Sequence, residues 1–182
     1  MARLLDTEPT TLAELREQLK SSPQASAEFS VAVEALVFDS SGRWVLLERG
    51  AGAQDEHGKL EGIGGRVESD GRLRDELMRE LREEIGESAQ VEIARFLEVK
   101  SDTVVVQRDC ETRTNHWVIV SYLCRWTSGN LELMEPEKNS RFVFVESLNV
   151  DPARLSTSGR QSLASLRGLG GELRSFLNGA DL

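Results

Sequence analysis

An α+β domain built on a layered, mixed sheet is the fold class this sequence predicts. Most of the chain reads as short apolar strands, with one strong helix in the middle and another closing the chain. The length of 182 residues, without an internal repeat, suits one domain with a substantial core.

Taken in order, Thr10 or Thr11 can cap a helix running to about Lys20, with Leu12, Leu15 and Leu19 on one face. Ser21 to Ala27, holding Pro23, reads as a linker. Phe29 to Phe38 and Arg43 to Glu48 are strands, and Asp39-Ser-Ser-Gly42 turns one into the other. A glycine- and charge-rich loop from Gly50 to Gly62 leads into Ile63-Gly64-Gly65-Arg66-Val67. Arg72 to Ile85 is the most convincing helix, stopped by Gly86. Val91 to Val99, Thr103 to Arg108 and His116 to Trp126 read as strands, with a polar loop at Asp109 to Asn115. The loop Asn130 to Ser140 contains Glu135-Pro136-Glu137 and precedes a strand at Arg141 to Val145. A closing helix spans about Ser158 to Leu177, bent around Gly168-Leu-Gly-Gly171. The expected organisation is an N-terminal helix and linker over 1–27, a main domain over 28–150 and a helical segment over 151–182 packing on it.

Composition limits the partners. A formal net charge of −9 disfavours nucleic acid and anionic membranes, which both favour basic patches. An acidic chain can still bind a phosphorylated small molecule when a cation mediates. Cys110 and Cys124 show neither a disulfide framework nor metal-ligand spacing. There is no secretory signal and no apolar run that could span a bilayer, so a cytoplasmic location is the default expectation.

On a helical projection of the central helix, Leu77, Met78, Leu81 and Ile85 share one arc. Glu76, Glu80, Glu83, Glu84 and Glu87 share a second. The five like-charge pairs on that face would cost an isolated helix about 1–2.5 kcal/mol, which Arg79 offsets only in part. A solvated acidic face is the plain reading, but such faces usually mix in bases, and this arc contains none. A hard divalent cation reverses the sign of the energy, since Mg²⁺ takes carboxylate oxygens. With no His in the segment and both cysteines distant, zinc is disfavoured.

Gly65 through Glu87 resembles the Nudix box, G-x5-E-x7-R-E-U-x-E-E-x-G-U with U a bulky aliphatic. Arg79-Glu80-Leu81-x-Glu83-Glu84-x-Gly86 matches fully, with Gly65 at the right distance. Two positions depart: Gly71 stands where the first glutamate belongs, and Glu87 where the last aliphatic belongs. Asp70 or Glu68 is a candidate to supply the missing carboxylate; the departure bears on how Arg79 and the loop are braced.

The resemblance implies a Nudix-like α/β/α sandwich with a mixed sheet and the loop-helix motif. It implies a pyrophosphohydrolase that cleaves a diphosphate linkage in a nucleotide, with Mg²⁺ as cofactor and Mn²⁺ as a substitute. Glu80 and Glu84 would be metal ligands, Glu83 would share that duty or act as base, and the Gly65 carbonyl would complete the set. Arg79 would orient the glutamates. A carboxylate from a later loop often joins such sites; Glu137 is the candidate here and Glu135 the alternate. His57 and His116 are expected at the surface. The stretch Gly58-Lys-Leu-Glu-Gly62-Ile-Gly-Gly65 is similar to the segment before the box in enzymes acting on oxidised purine nucleoside triphosphates. A nucleoside triphosphate is therefore the favoured substrate, ahead of other nucleoside-diphosphate-linked compounds. The rival from another class is a nucleotide-binding sensor or interaction domain without turnover. The terminal helices leave two roles open, capping a sheet edge or joining a homodimer.

Overall fold

The computed structural model describes residues 4–5, 7–20, 29–108 and 111–178. The expected linker at Ser21 to Ala27 and Cys110 lie outside the described residues. The elements in chain order are α1 (Leu12–Leu19), β1 (Ser30–Phe38), β2 (Trp44–Arg49), β3 (Leu60–Glu61), β4 (Ile63–Arg66), α2 (Leu73–Ile85), β5 (Gln90–Arg108), β6 (Glu111–Ser128), β7 (Asn139–Val145), α3 (Thr157–Gly168) and α4 (Gly171–Leu177).

One mixed sheet of seven strands organises the molecule. β1 runs parallel to β6 along its whole length, from Ser30 opposite Trp117 to Phe38 opposite Arg125. Its other edge is shared. β2 pairs with it only at Val37–Val45 and Phe38–Trp44, and β4 takes Ala32 to Ala35. β3 takes the end of β2 that has diverged, while β7 covers the opposite edge of β2. The splaying of β1 and β2 makes room for the glycine-rich β3–β4 segment between them.

Alternation along the strands sends apolar side chains to both faces. Val31, Val33, Ala35 and Val37 of β1 pack with Leu12, Leu15 and Leu19 of α1 and with Leu73, Leu77, Leu81 and Ile85 of α2. On the opposite face Leu36, Phe38, Trp44 and Leu46 pack with Leu163 and Leu166 of α3 and Leu173 and Phe176 of α4. The result is the expected α/β/α layering. Thr11 caps α1, its side chain accepting from Glu14 N at 3.2 Å, and Ser156 caps α3 through Gly159 N at 3.0 Å. The closing helix breaks at Gly170, whose φ of +54° interrupts it, giving α3 and α4.

Two sequence expectations change. The stretch between Val99 and Thr103 continues β5 rather than ending it, pairing in unbroken register with Val120 to His116 of β6; the bulges lie earlier, at Gln90/Val91, Ile93/Arg95 and Phe96/Glu98. The polar segment expected to loop from Asp109 to Asn115 is β6 from Glu111 onward, paired back to Arg108. No helix among the described residues is long and apolar enough to cross a membrane.

Candidate functional site

α2 begins without a side-chain cap, but Asp75 and Glu76 in its first turn meet the positive end of the helix dipole. Its apolar arc is buried against the sheet, which turns the acidic arc toward β4. Glu76, Glu80 and Glu84 are nevertheless buried, at 7%, 8% and 8% exposure. Glu83 stays about half exposed, at 53% of its side chain, and Glu87, beyond the end of α2, is exposed as well.

Gly65 lets the helix come this close, and Gly64 lets β4 lie against β1. Gly64 has φ +152°, and a Cβ there would stand 2.1 Å from the Val33 carbonyl oxygen. A Cβ on Gly65 would stand 2.3 Å from Glu80 Oε2, so the Glu80 carboxylate rests on the glycine backbone. The Gly64 N–H donates to Glu84 Oε2 at 2.8 Å, and Asn139 Nδ2 donates to Glu84 Oε1 at 3.3 Å. Burial pushes the Glu84 carboxyl up to about 8; the Gly64 N–H opposes the shift, while the charges of Glu61 and Glu80 add to it. Glu80 is raised by burial as well, against the pull of Arg79. Glu61 is raised by burial despite two hydrogen bonds of 2.6 Å from Arg49 Nη1.

Arg79 ties the acidic face together. Its Nη2 donates to Glu80 Oε1 at 2.6 Å, to Glu76 Oε2 at 3.1 Å and to the Arg66 carbonyl at 3.1 Å; its Nη1 donates to Glu83 Oε2 at 2.7 Å. Burial works against its charge, but the carboxylates outweigh that and raise its pKa. Glu76 moves the other way: burial would raise it, yet the Ser69 hydroxyl, the Glu68 N–H and Arg79 together lower it.

These groups open onto a cleft of about 670 Å³. Glu80, Glu83, Glu84 and Glu135 line its acidic part, and Asp102, Asn115, Trp117 and Ile119 line the sheet part. Asp102 and Trp117 are register partners across β5 and β6, and the Arg66 guanidinium lies 5.1 Å over the Trp117 ring. The loop wall, Gly52 to Glu56, is fastened at its far end. Glu56 accepts from Thr157 N at 2.9 and 3.1 Å and from Thr157 Oγ1 at 3.0 Å, and Lys59 Nζ donates to the Ala153 carbonyl at 2.6 Å.

Most residues expected at the site from the sequence meet here: Gly65, Arg79, Glu80, Glu83 and Glu84. Glu137 does not. Its side chain is exposed outside the cleft, and its backbone carbonyl accepts from Gly52 N at 2.8 Å. Glu135, the alternate, lines the cleft and pairs with Lys138 at 2.6 Å. Asp70 is exposed and 3.9 Å from Arg16, while Glu68 is exposed on the cleft lining and its N–H donates to Glu76 Oε2 at 3.2 Å. His57 and His116 are exposed, as expected. Sequence reasoning missed Glu61, Asn139, Asp102 and Trp117, which come from four different elements or their flanks and share no local spacing.

The donors suit a divalent cation of the hard type: every one is an oxygen, and the buried carboxylates of Glu80 and Glu84 lack enough cationic partners of their own. Among the described residues no three acidic, histidine or cysteine groups form a finished ligand cage.

No curated protein matches the chain in sequence. Solved structures do match its fold. A MutT NUDIX hydrolase from Burkholderia pseudomallei aligns with TM-score 0.60 and 22% identity, covering 77% of this chain and 99% of that one. The ORF135 protein of E. coli aligns with TM-score 0.54 and 23% identity over 81% and 95% of the two chains. A MutT protein from Methanosarcina mazei Go1 gives 0.52 and 19% over 78% and 96%. The NUDIX domain family model matches residues 28–166, most of the chain and all of the site. The chain therefore belongs to the NUDIX family, the hydrolases of pyrophosphate bonds.

Proposed function

We propose that this hydrolase acts with Mg²⁺ on a nucleoside triphosphate or a related nucleoside-diphosphate-linked compound, cutting one diphosphate linkage. The observation that carries the reading is the pair of buried carboxylates, Glu80 and Glu84, packed against Gly64 and Gly65 at one end of the cleft. Two like charges held out of water call for a cation (each otherwise costs several kcal/mol, roughly).

In this reading Glu80 and Glu84 hold the metal, with Glu83 and the Gly65 carbonyl completing the protein's share. When bound, the ion neutralises charge on the phosphate oxygens and lowers the cost of forming the transition state. Arg79 keeps Glu80 and Glu83 in register by donating to both. Water attacks one phosphorus; a P–O bond forms, the bridging P–O bond breaks, and a glutamate takes the water's proton. Glu83 and Glu135 are the candidates for that base, and the exposed side chain of Glu137 favours Glu135 as the loop's contribution. The indole of Trp117, with Asp102 and Asn115 beside it, supports a nucleobase at the sheet end of the cleft, since one aromatic face and a few polar groups suit a flat heterocycle.

The test is a nucleotide panel incubated with Mg²⁺, reading released phosphate or pyrophosphate, for the native chain and for Glu80→Gln and Glu84→Gln. The expected loss in each variant is at least about a hundredfold in turnover with the fold intact. Near-native rates in both would refute the assignment. Binding without turnover across the panel would assign a sensor instead.

A further inference from the structure

We infer that Glu76 is a positioning residue that takes the place of the glutamate the motif lacks at Gly71. The inference rests on α2 being the catalytic helix and adds to that reading the means by which Arg79 is held.

Three donors converge on the Glu76 carboxylate. The Ser69 hydroxyl reaches Oε1 at 2.6 Å, while the Glu68 N–H at 3.2 Å and Arg79 Nη2 at 3.1 Å reach Oε2. Glu76 thus fastens the loop ahead of α2 to the guanidinium that also grips Glu80 and Glu83. A carboxylate with this burial and three donors is a preorganised brace, because each oxygen is committed and little freedom is left.

Gly71 adjoins the same spot. Its N–H donates to Ser69 Oγ at 3.2 Å, and a Cβ at that position would meet only the same Oγ, at 3.0 Å. Its φ is not in the left-handed region, so the backbone does not demand glycine there. What the neighbourhood lacks is a second set of donors for another carboxylate. Ser69 offers one hydroxyl and Arg79 one guanidinium edge, and two carboxylates competing for them would repel. A glutamate at 76 and a glycine at 71 are two halves of one arrangement: the negative charge stands five positions further along the chain, where Ser69, the Glu68 N–H and Arg79 reach it.

The experiment measures kcat, KM and the Mg²⁺ concentration for half-maximal rate in four proteins: native, Glu76→Gln, Gly71→Glu and the double variant. Glu76→Gln keeps the volume and removes the charge. Its kcat is expected to fall about ten- to a hundredfold, with KM near native and the Mg²⁺ requirement raised. The double variant regains most of the lost kcat, and Gly71→Glu alone gains nothing. Native kcat in Glu76→Gln, or a loss that Gly71→Glu leaves unrestored, overturns the inference. If Glu76→Gln does not fold, Glu76→Asp replaces it, with the same expected losses and the same restoration by Gly71→Glu. Glu80→Gln run alongside separates the two levels: an active Glu80→Gln defeats the reading of the site, whereas an inactive one beside a fully active Glu76→Gln defeats only the role of Glu76.

Discussion

Lys100 Nζ lies 2.6 Å from Glu34 Oε2, and the two side chains are only 2% and 8% exposed. Ser121 Oγ and Ser162 Oγ donate to the same carboxylate at 2.7 and 3.0 Å, so β1, β5, β6 and α3 meet at one buried charge. Glu34 also touches the cleft, where a Cβ on Gly62 would stand 2.8 Å from its Oε1. Lys100→Met removes the counter-charge and strands the carboxylate, at an expected loss of about 3–5 kcal/mol in urea unfolding. The double variant Lys100→Met/Glu34→Gln recovers much of that loss. Equal stabilities for Lys100→Met and the double variant would show that the stranded carboxylate is not the source of the loss.

Gly65→Ala separates activity from stability. The added Cβ meets the Glu80 carboxylate, the movable end of a side chain, so the fold adjusts and Glu80 is displaced. Turnover drops by about a hundredfold, the scale of a 1 Å misplacement, while the thermal midpoint barely moves. Gly64→Ala does the opposite kind of damage, since its Cβ would strike the Val33 backbone at a left-handed φ. A Gly65→Ala protein with native turnover would show that Glu80 tolerates displacement.

The loop carboxylates are distinguished by a paired substitution. Glu135→Gln is expected to lower kcat by about tenfold or more, within the range for a general base. Glu137→Gln leaves it within a factor of about two, as for exposed side chains away from the chemistry. The reverse order, read from initial rates at saturating substrate, would return the role to Glu137.

Glu84 sets a pH dependence that differs with and without metal. Its carboxyl, ordinarily near 4.5, is raised to about 8 in the metal-free fold by burial. A raised folded value means that the group favours folding fully below about 4.5 and that this contribution is lost as pH climbs through 8. The thermal midpoint of the metal-free protein therefore falls as the pH rises between those limits. The increment from Mg²⁺ grows over the same window, because binding needs the ionised carboxylate and releases its proton. A Mg²⁺ increment that shrinks toward pH 8 would contradict this. Glu84→Gln makes the slope shallower, leaving the share of Glu80 and Glu61, which burial raises as well.

The acidic helix was legible because its two periodic arcs, apolar and acidic, are local: Arg72 to Ile85 in sequence became Leu73–Ile85 in space. Gly64 and Gly65 were legible for a related reason, being adjacent to the motif and needed for close approach. The stretch Lys100-Ser-Asp102 misled, since a charged run reads as a strand end. Its lysine is buried by pairing with Glu34, 66 residues earlier, and such partners leave no mark in local pattern. The parallel pairing of β1 with β6 was invisible likewise. Glu76 was visible as one of five acids, but its bond to Ser69 depends on how the loop folds back.

The grip of Glu56 on Thr157 has an evolutionary reading. A wall of the cleft is moored to a segment 101 positions downstream, well clear of the signature residues. Drift in that distant stretch can reshape what the chamber admits while the bond-breaking apparatus stays as it is, so preference and chemistry are free to diverge on separate schedules.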